Sequence, residues 1–185
     1  MALATFSDRP LNYWLAQPLQ ALDIGTGAGF PGLPLKIVWP SLKLTLLEAR
    51  RKKVRFLEHI VAELRLTSVT AVHGRAETLA HHPQHREAYD LVFGRAVAEL
   101  PVLLEYGLPF CRRGGMVVAL KGEAASAEAI ASEQALAVLG GELRRIVPVE
   151  VPGLAETRCI VLVEKVASTP DRYPRRPGVP QKRPL

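Results

Sequence analysis

Short apolar runs alternate along the chain with segments whose apolar residues have helical spacing. Steps of three, four and three residues predict a long amphipathic helix, whose stripe consists of Val54, Leu57, Val61 and Leu64. Further helices are predicted over residues 33–38, 97–108 and 123–139, and strands over residues 19–24, 42–47, 69–73, 89–93 and 116–120. This alternation favours a parallel sheet with helices on both faces.

The last two apolar runs, residues 142–151 and 158–164, have no helical segment between them. The short loop Pro152-Gly153-Leu154 joins them, which predicts an antiparallel hairpin at one edge of the sheet. The chain should therefore have an α/β fold with a mostly parallel seven-stranded sheet and a C-terminal antiparallel hairpin. This Rossmann-like layout is typical of class I methyltransferases when a cofactor loop follows the first strand.

Such a loop follows the first strand as the sequence DIGTGAGFPG, residues 23–32. Gly25, Gly27 and Gly29 allow a ligand to approach the backbone, and the helix that follows offers free N–H groups. A dinucleotide fingerprint would need a third glycine where Phe30 stands. Asp23 is expected at the mouth of the site, where it would repel a pyrophosphate and attract a cation. S-adenosylmethionine fits this pattern; the alternative is a glycine turn in an ordinary α/β unit.

Polar residues at the ends of the other strands extend this predicted site. Glu48 lies nineteen residues past Gly29, a distance at which an acid can bind a ribose diol. Alternatively, Glu48 forms an ion pair with Arg50 or Arg51. The segment 74–77 follows the third strand, where adenine would lie, and Glu77 would accept from its amino group.

Arg95 ends the fourth strand, nearest the position where a methyl group would leave the cofactor, and is the candidate catalytic residue. Its guanidinium suits the cofactor carboxylate, a substrate phosphate or a guanine edge. A salt bridge with Asp23, Glu77 or Glu99 is the alternative. Lys121, which closes the fifth strand, has the same open roles and is a further candidate for RNA binding.

The net charge of +6 is unevenly distributed. Residues 170–185 carry five basic residues and one acid, and a second basic cluster consists of Arg50, Arg51, Lys52, Lys53 and Arg55. Such clusters indicate a polyanionic partner, although a solvated helix face is the common alternative. We expect Lys52, Lys53, Arg175 and Arg176 to bind phosphates. Five prolines in the tail argue against a helix there and predict an extended segment unless it docks.

Other classes of function receive little support. No apolar run is long enough to span a membrane, the N-terminus has no signal-peptide core, and Cys111 and Cys159 fit buried thiols, so we expect a cytoplasmic protein. We also expect it to act as a monomer. The histidines at 81, 82 and 85 lack partners at ligand spacing, and we expect no metal. No nucleophile elbow is present, which argues against a hydrolase.

Several segments together resemble the RsmG (GidB) family: residues 23–32, 51–57, 74–77, 94–98, 120–122 and 173–185. The resemblance implies an S-adenosylmethionine-dependent methyltransferase that acts on N7 of a guanine in small-subunit ribosomal RNA, as naked RNA or in the 30S particle. It maps cofactor contacts onto Gly25, Phe30, Glu48, Ala49, Arg50, Ala76, Glu77 and Arg95.

The resemblance also implies a domain organisation. Residues 1–19 form a short N-terminal segment where the family usually has several dozen residues, residues 20–166 form the methyltransferase domain, and residues 167–185 form a basic, proline-rich tail. Two alternatives stay open on this fold: a small-molecule methyltransferase and a non-catalytic RNA-binding assembly factor. Dinucleotide oxidoreduction is a third, disfavoured by Phe30 and Asp23.

Overall fold

A computed structural model describes residues 16–150, Gly153 and residues 155–185. Most of the predicted N-terminal segment, and Pro152 and Leu154 of the predicted hairpin loop, lie outside the described residues. The strands are β1 (Gln20–Ile24), β2 (Lys43–Glu48), β3 (Val69–His73), β4 (Tyr89–Arg95), β5 (Cys111–Lys121), β6 (Gly141–Val149) and β7 (Arg158–Lys165). The helices are α1 (Gly32–Val38), α2 (Arg51–Glu63), α3 (Ala76–Leu79), α4 (Leu100–Gly107), α5 (Ala125–Ile130), α6 (Glu133–Leu139) and α7 (Val179–Lys182).

The seven strands form one sheet in the order β3-β2-β1-β4-β5-β7-β6. The first five strands run parallel, whereas β7 is antiparallel to both β5 and β6. The predicted fold class and terminal hairpin are thus confirmed. Strand order reverses between β1 and β4, and a crevice outside the carboxyl ends of these strands is where ligands bind in such sheets.

Apolar side chains cover both faces of the sheet. One core contains α4 and α6, with Leu103 and Leu139 buried, and the other contains α1 and α2, with Leu33 and Leu57 buried. Burial on both faces explains why the parallel strands have continuous apolar runs in the sequence. It also leaves the loops at the strand ends as the positions open to a ligand.

Three predicted helices differ from the observed ones. The long helix predicted over 123–139 is divided into α5 and α6, and the Ser132 hydroxyl at this break donates to the Glu128 carbonyl (2.7 Å). Such a bond from a serine to the carbonyl four residues earlier competes with regular helix geometry. Helix α2 ends at Glu63, so Leu64 of the predicted stripe is 49% exposed. Helix α4 begins at Leu100 and not at Val97, with Pro101 in its first turn.

The C-terminal tail docks onto the domain and contains a helix, contrary to the prediction that its prolines exclude one. Helix α7 tolerates Pro180 because the first turn of a helix needs no N–H donor at that position. Tyr173 is buried, and the Arg86 guanidinium donates to the carbonyls of Tyr173 (3.0 Å) and Thr169 (2.8 Å).

The two cysteines, Cys111 and Cys159, are buried free thiols as predicted, and burial raises the pKa of Cys111 to about 12. Among the helices described, each is too short or too polar to cross a membrane.

Candidate functional site

The glycine loop joins the end of β1 to the start of α1 in a conformation that needs its glycines. Gly25, Gly27 and Gly29 have φ values of +62°, +63° and +95°, a region that strains residues with a side chain. A Cβ on Gly29 would also lie 2.3 Å from the Leu33 Cδ1 atom. The Thr26 N–H donates to the Leu47 carbonyl (3.2 Å), which ties the loop to the end of β2. The loop therefore requires glycine at three positions and is fixed to the end of β2.

Asp23 lies beneath this loop, fully buried, rather than at the mouth of the site as expected. Its Oδ2 accepts hydrogen bonds from the Thr26 hydroxyl (2.6 Å) and the Gly32 N–H (2.9 Å), which explains the burial: the carboxylate holds both ends of the loop. Its Oδ1 has no hydrogen-bond partner among the described residues. Burial raises the pKa of Asp23 to about 6, against the hydrogen bonds and the charge of Arg95, which lower it.

Glu48 comes from the neighbouring strand and faces the same loop. Its Oε2 accepts from the Gly27 N–H (3.2 Å), and its Oε1 accepts from the Arg50 N–H (2.8 Å). The ion pair that Glu48 forms in the described part of the chain is with Lys53, at 3.9 Å, and not with the guanidinium of Arg50 or Arg51. The structure thus brings Glu48 and the glycine loop together, and the ribose role of Glu48 stays a prediction.

A cavity of about 160 Å³ lies between the glycine loop and the ends of β2 and β3. Four residues predicted as cofactor contacts line it, namely Gly25, Ala49, Ala76 and Glu77. Three further lining residues, Val97, Tyr106 and Gln181, were not predicted from the sequence. Gln181 lies on α7, so the docked tail forms part of the wall. Val97 and Gln181 both lie in segments that carry the family resemblance, which was the available signal for them.

Glu77 is buried at this cavity and binds the tail. Its Oε1 accepts from the Gly178 N–H (3.2 Å), and burial, with the nearby charge of Glu77, raises the pKa of Tyr106 to about 12. The expected contact of Glu77 with the adenine amino group would use its remaining acceptor capacity. Glu77 therefore also anchors the tail, a role that the sequence did not indicate.

Arg95 lies over the ring of Phe30, with its Cζ atom 5.4 Å from the ring centroid, and Phe30 is 47% exposed. This cation–π contact replaces the salt bridge that was the alternative for Arg95. The contact joins the end of β4 to the glycine loop.

A second, larger cavity of about 620 Å³ lies outside the ends of β4, β5 and β7. Arg95, Lys121 and Arg158 line it, together with apolar residues of β5 and β7. The Lys121 Nζ atom is held by the Ala98 carbonyl and the Glu128 carboxylate, both at 2.6 Å. The charge of Lys121 is therefore already paired, which weakens its predicted role in RNA binding.

The predicted phosphate-binding residues have different surroundings. Lys52 and Arg176 are exposed, and Lys53 is half exposed beside Glu48. Arg175 instead binds the fully buried carboxylate of Glu105 in a bidentate arrangement (2.6–3.1 Å), which raises the pKa of Arg175. A buried carboxylate requires such a partner. The guanidinium of Arg175 therefore stabilises the fold by binding Glu105, which weakens its predicted role in phosphate binding.

The histidine-rich segment also contributes to the fold. The His81 Nε2 atom lies 2.8 Å from the Pro174 carbonyl, and the His85 Nδ1 atom lies 2.6 Å from the Tyr89 hydroxyl. Within the described ranges, no group of three potential metal ligands occurs.

Comparisons with known proteins agree with this arrangement. The GidB family model, described as rRNA small subunit methyltransferase G, matches residues 10–156. Two relatives are named ribosomal RNA small subunit methyltransferase G. The one from Roseiflexus castenholzii is 54% identical to this chain over 172 residues, and the one from Desulfitobacterium hafniense is 49% identical over 171 residues. These matches cover 93% and 92% of this chain and 73% and 72% of the two relatives.

Solved structures show the same fold at low sequence identity. An S-adenosylmethionine-dependent methyltransferase from Aquifex aeolicus superposes with a TM-score of 0.60 at 18% identity, over 81% of this chain and 84% of that one. TrmN from Thermus thermophilus superposes with a TM-score of 0.62 at 19% identity, over 89% of this chain and 47% of that one.

Proposed function

The chain belongs to the GidB family of rRNA small subunit methyltransferase G proteins, and we propose that it methylates N7 of a guanine in small-subunit ribosomal RNA. The methyl donor would be S-adenosylmethionine. The observation that carries this proposal is the cavity between the glycine loop, Ala49 and the 76–77 segment, at the point where strand order reverses.

The residues around this cavity fit S-adenosylmethionine better than a phosphate-bearing cofactor. Glu77 lines the cavity, Glu48 accepts from the Gly27 N–H of the loop, and Asp23 lies buried beneath the loop with one oxygen that has no partner in the described part of the chain. Such a setting disfavours a pyrophosphate and favours a cationic ligand. The residues that would hold the cofactor are Gly25, Gly27, Gly29, Phe30, Glu48, Ala49, Arg50, Ala76, Glu77 and Arg95, with Asp23 supporting the loop from below.

Methylation of guanine N7 requires no proton transfer by the protein. Guanine N7 carries an in-plane lone pair and no proton, so it needs no general base. The cofactor supplies an electrophilic methyl group on a sulfonium. The protein contributes alignment in a preorganised pocket, and Arg95 would position the guanine or the cofactor carboxylate. Effective concentration is then the main source of the rate enhancement.

The basic surface would bind the RNA backbone through Lys52, Lys53 and Arg176. Helix α2 begins three residues after Glu48, just past the cavity-lining Ala49, so its basic first turn lies beside the cofactor cavity. In A-form RNA the edge that bears N7 lies in a deep, narrow groove, so the target guanine must lie in a loop or be opened. We expect the protein to act as a cytoplasmic monomer, without a metal ion.

Transfer of a tritiated methyl group tests this function. Small-subunit RNA, intact 30S particles and large-subunit RNA are each incubated with the protein and labelled cofactor, and we expect label in small-subunit RNA or the particle. Binding of S-adenosylhomocysteine without transfer to any RNA would instead indicate a small-molecule enzyme. Binding of RNA without the cofactor would indicate an assembly factor, and preference for NAD would reject the cofactor assignment.

A further inference from the structure

The larger cavity beside the cofactor site has a composition suited to one nucleotide. It spans the ends of β4, β5 and β7, neighbouring strands of the sheet. Leu120, Cys159 and Ile160 give it an apolar lining, while Arg95 and Arg158 contribute guanidinium groups. Among the described residues that line it, none is an acid.

The two cavities adjoin at the turn after β4. Arg95 and Ala96 line the larger cavity, and the next residue, Val97, lines the smaller one. A molecule in the larger cavity would therefore lie next to the cofactor, separated from it only by this short segment. This continuity makes the larger cavity the acceptor side of the proposed reaction.

The cations of the larger cavity differ in how far they are already paired. Lys121 is held by Glu128 and the Ala98 carbonyl. In the described part of the chain, Arg158 forms one ion pair, with the exposed Glu156. The Arg158 side chain is itself 46% exposed. An exposed pair of this kind is weak and is readily exchanged for another anion. Arg158 is thus more available to an anion than Lys121, while the guanidinium of Arg95 lies over the ring of Phe30.

We propose that this cavity holds the acceptor guanosine nucleotide, with Arg158 binding its phosphate and the apolar lining contacting the base. The inference rests on the proposed function. In the reaction, the N7 lone pair forms the new bond to the methyl carbon while the carbon–sulfur bond breaks, its electron pair remaining on sulfur. The positive charge passes to the base and no proton is released.

Because the N7 lone pair must be free to attack the methyl group, this reaction also determines which part of the nucleotide Arg158 binds. An arginine fork that reads guanine donates to both O6 and N7, and would occupy the lone pair that attacks the methyl group. A guanidinium on the phosphate leaves N7 free and orients the nucleotide from its other end.

The variant Arg158→Met tests this assignment, and Arg144→Met is a matched control. Arg144 is also half exposed and also paired with glutamates, but it lies near the other end of the hairpin. For Arg158→Met we expect the KM for RNA to rise about tenfold and the log–log salt slope of binding to fall by about 0.7. Affinity for S-adenosylhomocysteine should not change. Glu156→Gln should lower the KM by about threefold, because it frees Arg158.

Small ligands separate this inference from the proposed function. With S-adenosylhomocysteine present, guanosine 5′-monophosphate should bind about tenfold more weakly to Arg158→Met than to the wild type, whereas guanosine should bind equally to both. If the wild type methylates RNA but Arg158→Met changes neither KM nor nucleotide binding, the cavity assignment is wrong and the function stands. If the wild type methylates no RNA yet binds the nucleotide through Arg158, the function is wrong and the cavity assignment stands.

Discussion

Replacing Asp23 with asparagine should make the protein more stable at neutral pH, and the gain should depend on pH. The pKa of Asp23 rises from 3.8 to about 6 because of burial. Each pKa unit corresponds to about 1.4 kcal/mol, so the ionised carboxylate costs the fold about 3 kcal/mol above pH 6. The sign follows from proton binding: between pH 3.8 and 6 the folded state holds a proton that the unfolded state has lost, so stability falls as pH rises.

The side-chain amide of the Asp23→Asn variant would keep both hydrogen bonds, since its one oxygen can accept from Thr26 and from Gly32 as Oδ2 does. Its NH₂ group would take the place of Oδ1, which has no partner among the described residues, at a cost of about 1–3 kcal/mol. That cost is the same at every pH. The difference in unfolding free energy between variant and wild type should therefore grow by about 2 kcal/mol between about pH 4.5 and pH 8.

Urea unfolding, followed by fluorescence of the buried Trp39, measures this difference at each pH. Asp171→Asn is the control for loss of one negative charge, since Asp171 is fully exposed. A difference that stays constant within about 0.5 kcal/mol across this range would refute the reasoning. The variant should also bind S-adenosylmethionine more weakly, because the acid near the cationic ligand is gone.

Three further predictions concern the site and the basic surface. Glu48→Gln should weaken S-adenosylmethionine binding about tenfold in calorimetry, because a charged acceptor is lost; an unchanged affinity would exclude the ribose role. Arg175→Met should lower the unfolding free energy by about 2 kcal/mol, since it leaves Glu105 buried without its partner, whereas Arg176→Met should change it by less than about 0.5 kcal/mol. The double variant Lys52→Met/Arg176→Met should flatten the log–log salt slope of RNA binding by about 1.4–1.8; an unchanged slope would reject both phosphate contacts.

The sheet was predictable because its signals are local. Each parallel strand is a short apolar run bounded by turn residues, and the absence of a helical segment before 158 is enough to indicate the hairpin. The glycine loop was equally readable, since three alternating glycines mark backbone that side chains would strain.

The rest depends on contacts between distant residues. His81 meets Pro174 across 93 positions, and Arg175 meets Glu105 across 70, so no local pattern indicates the docked tail. One signal was available: Glu105 is the single acid in the apolar helix α4, and a buried acid demands a cationic partner. The burial of Asp23 likewise follows from the loop folding over it, which spacing alone does not specify.

Mass analysis of RNA nucleosides tests the central claim most directly. Small-subunit RNA is incubated with the protein and S-adenosylmethionine carrying a trideuterated methyl group, then digested to nucleosides. We expect a single heavy product, trideuterated 7-methylguanosine. Its yield should fall about tenfold when Glu48→Gln replaces the wild type at a cofactor concentration well below the wild-type dissociation constant. Heavy label on another base or ring position, or none at any cofactor concentration, would contradict the proposed methyl transfer to guanine N7.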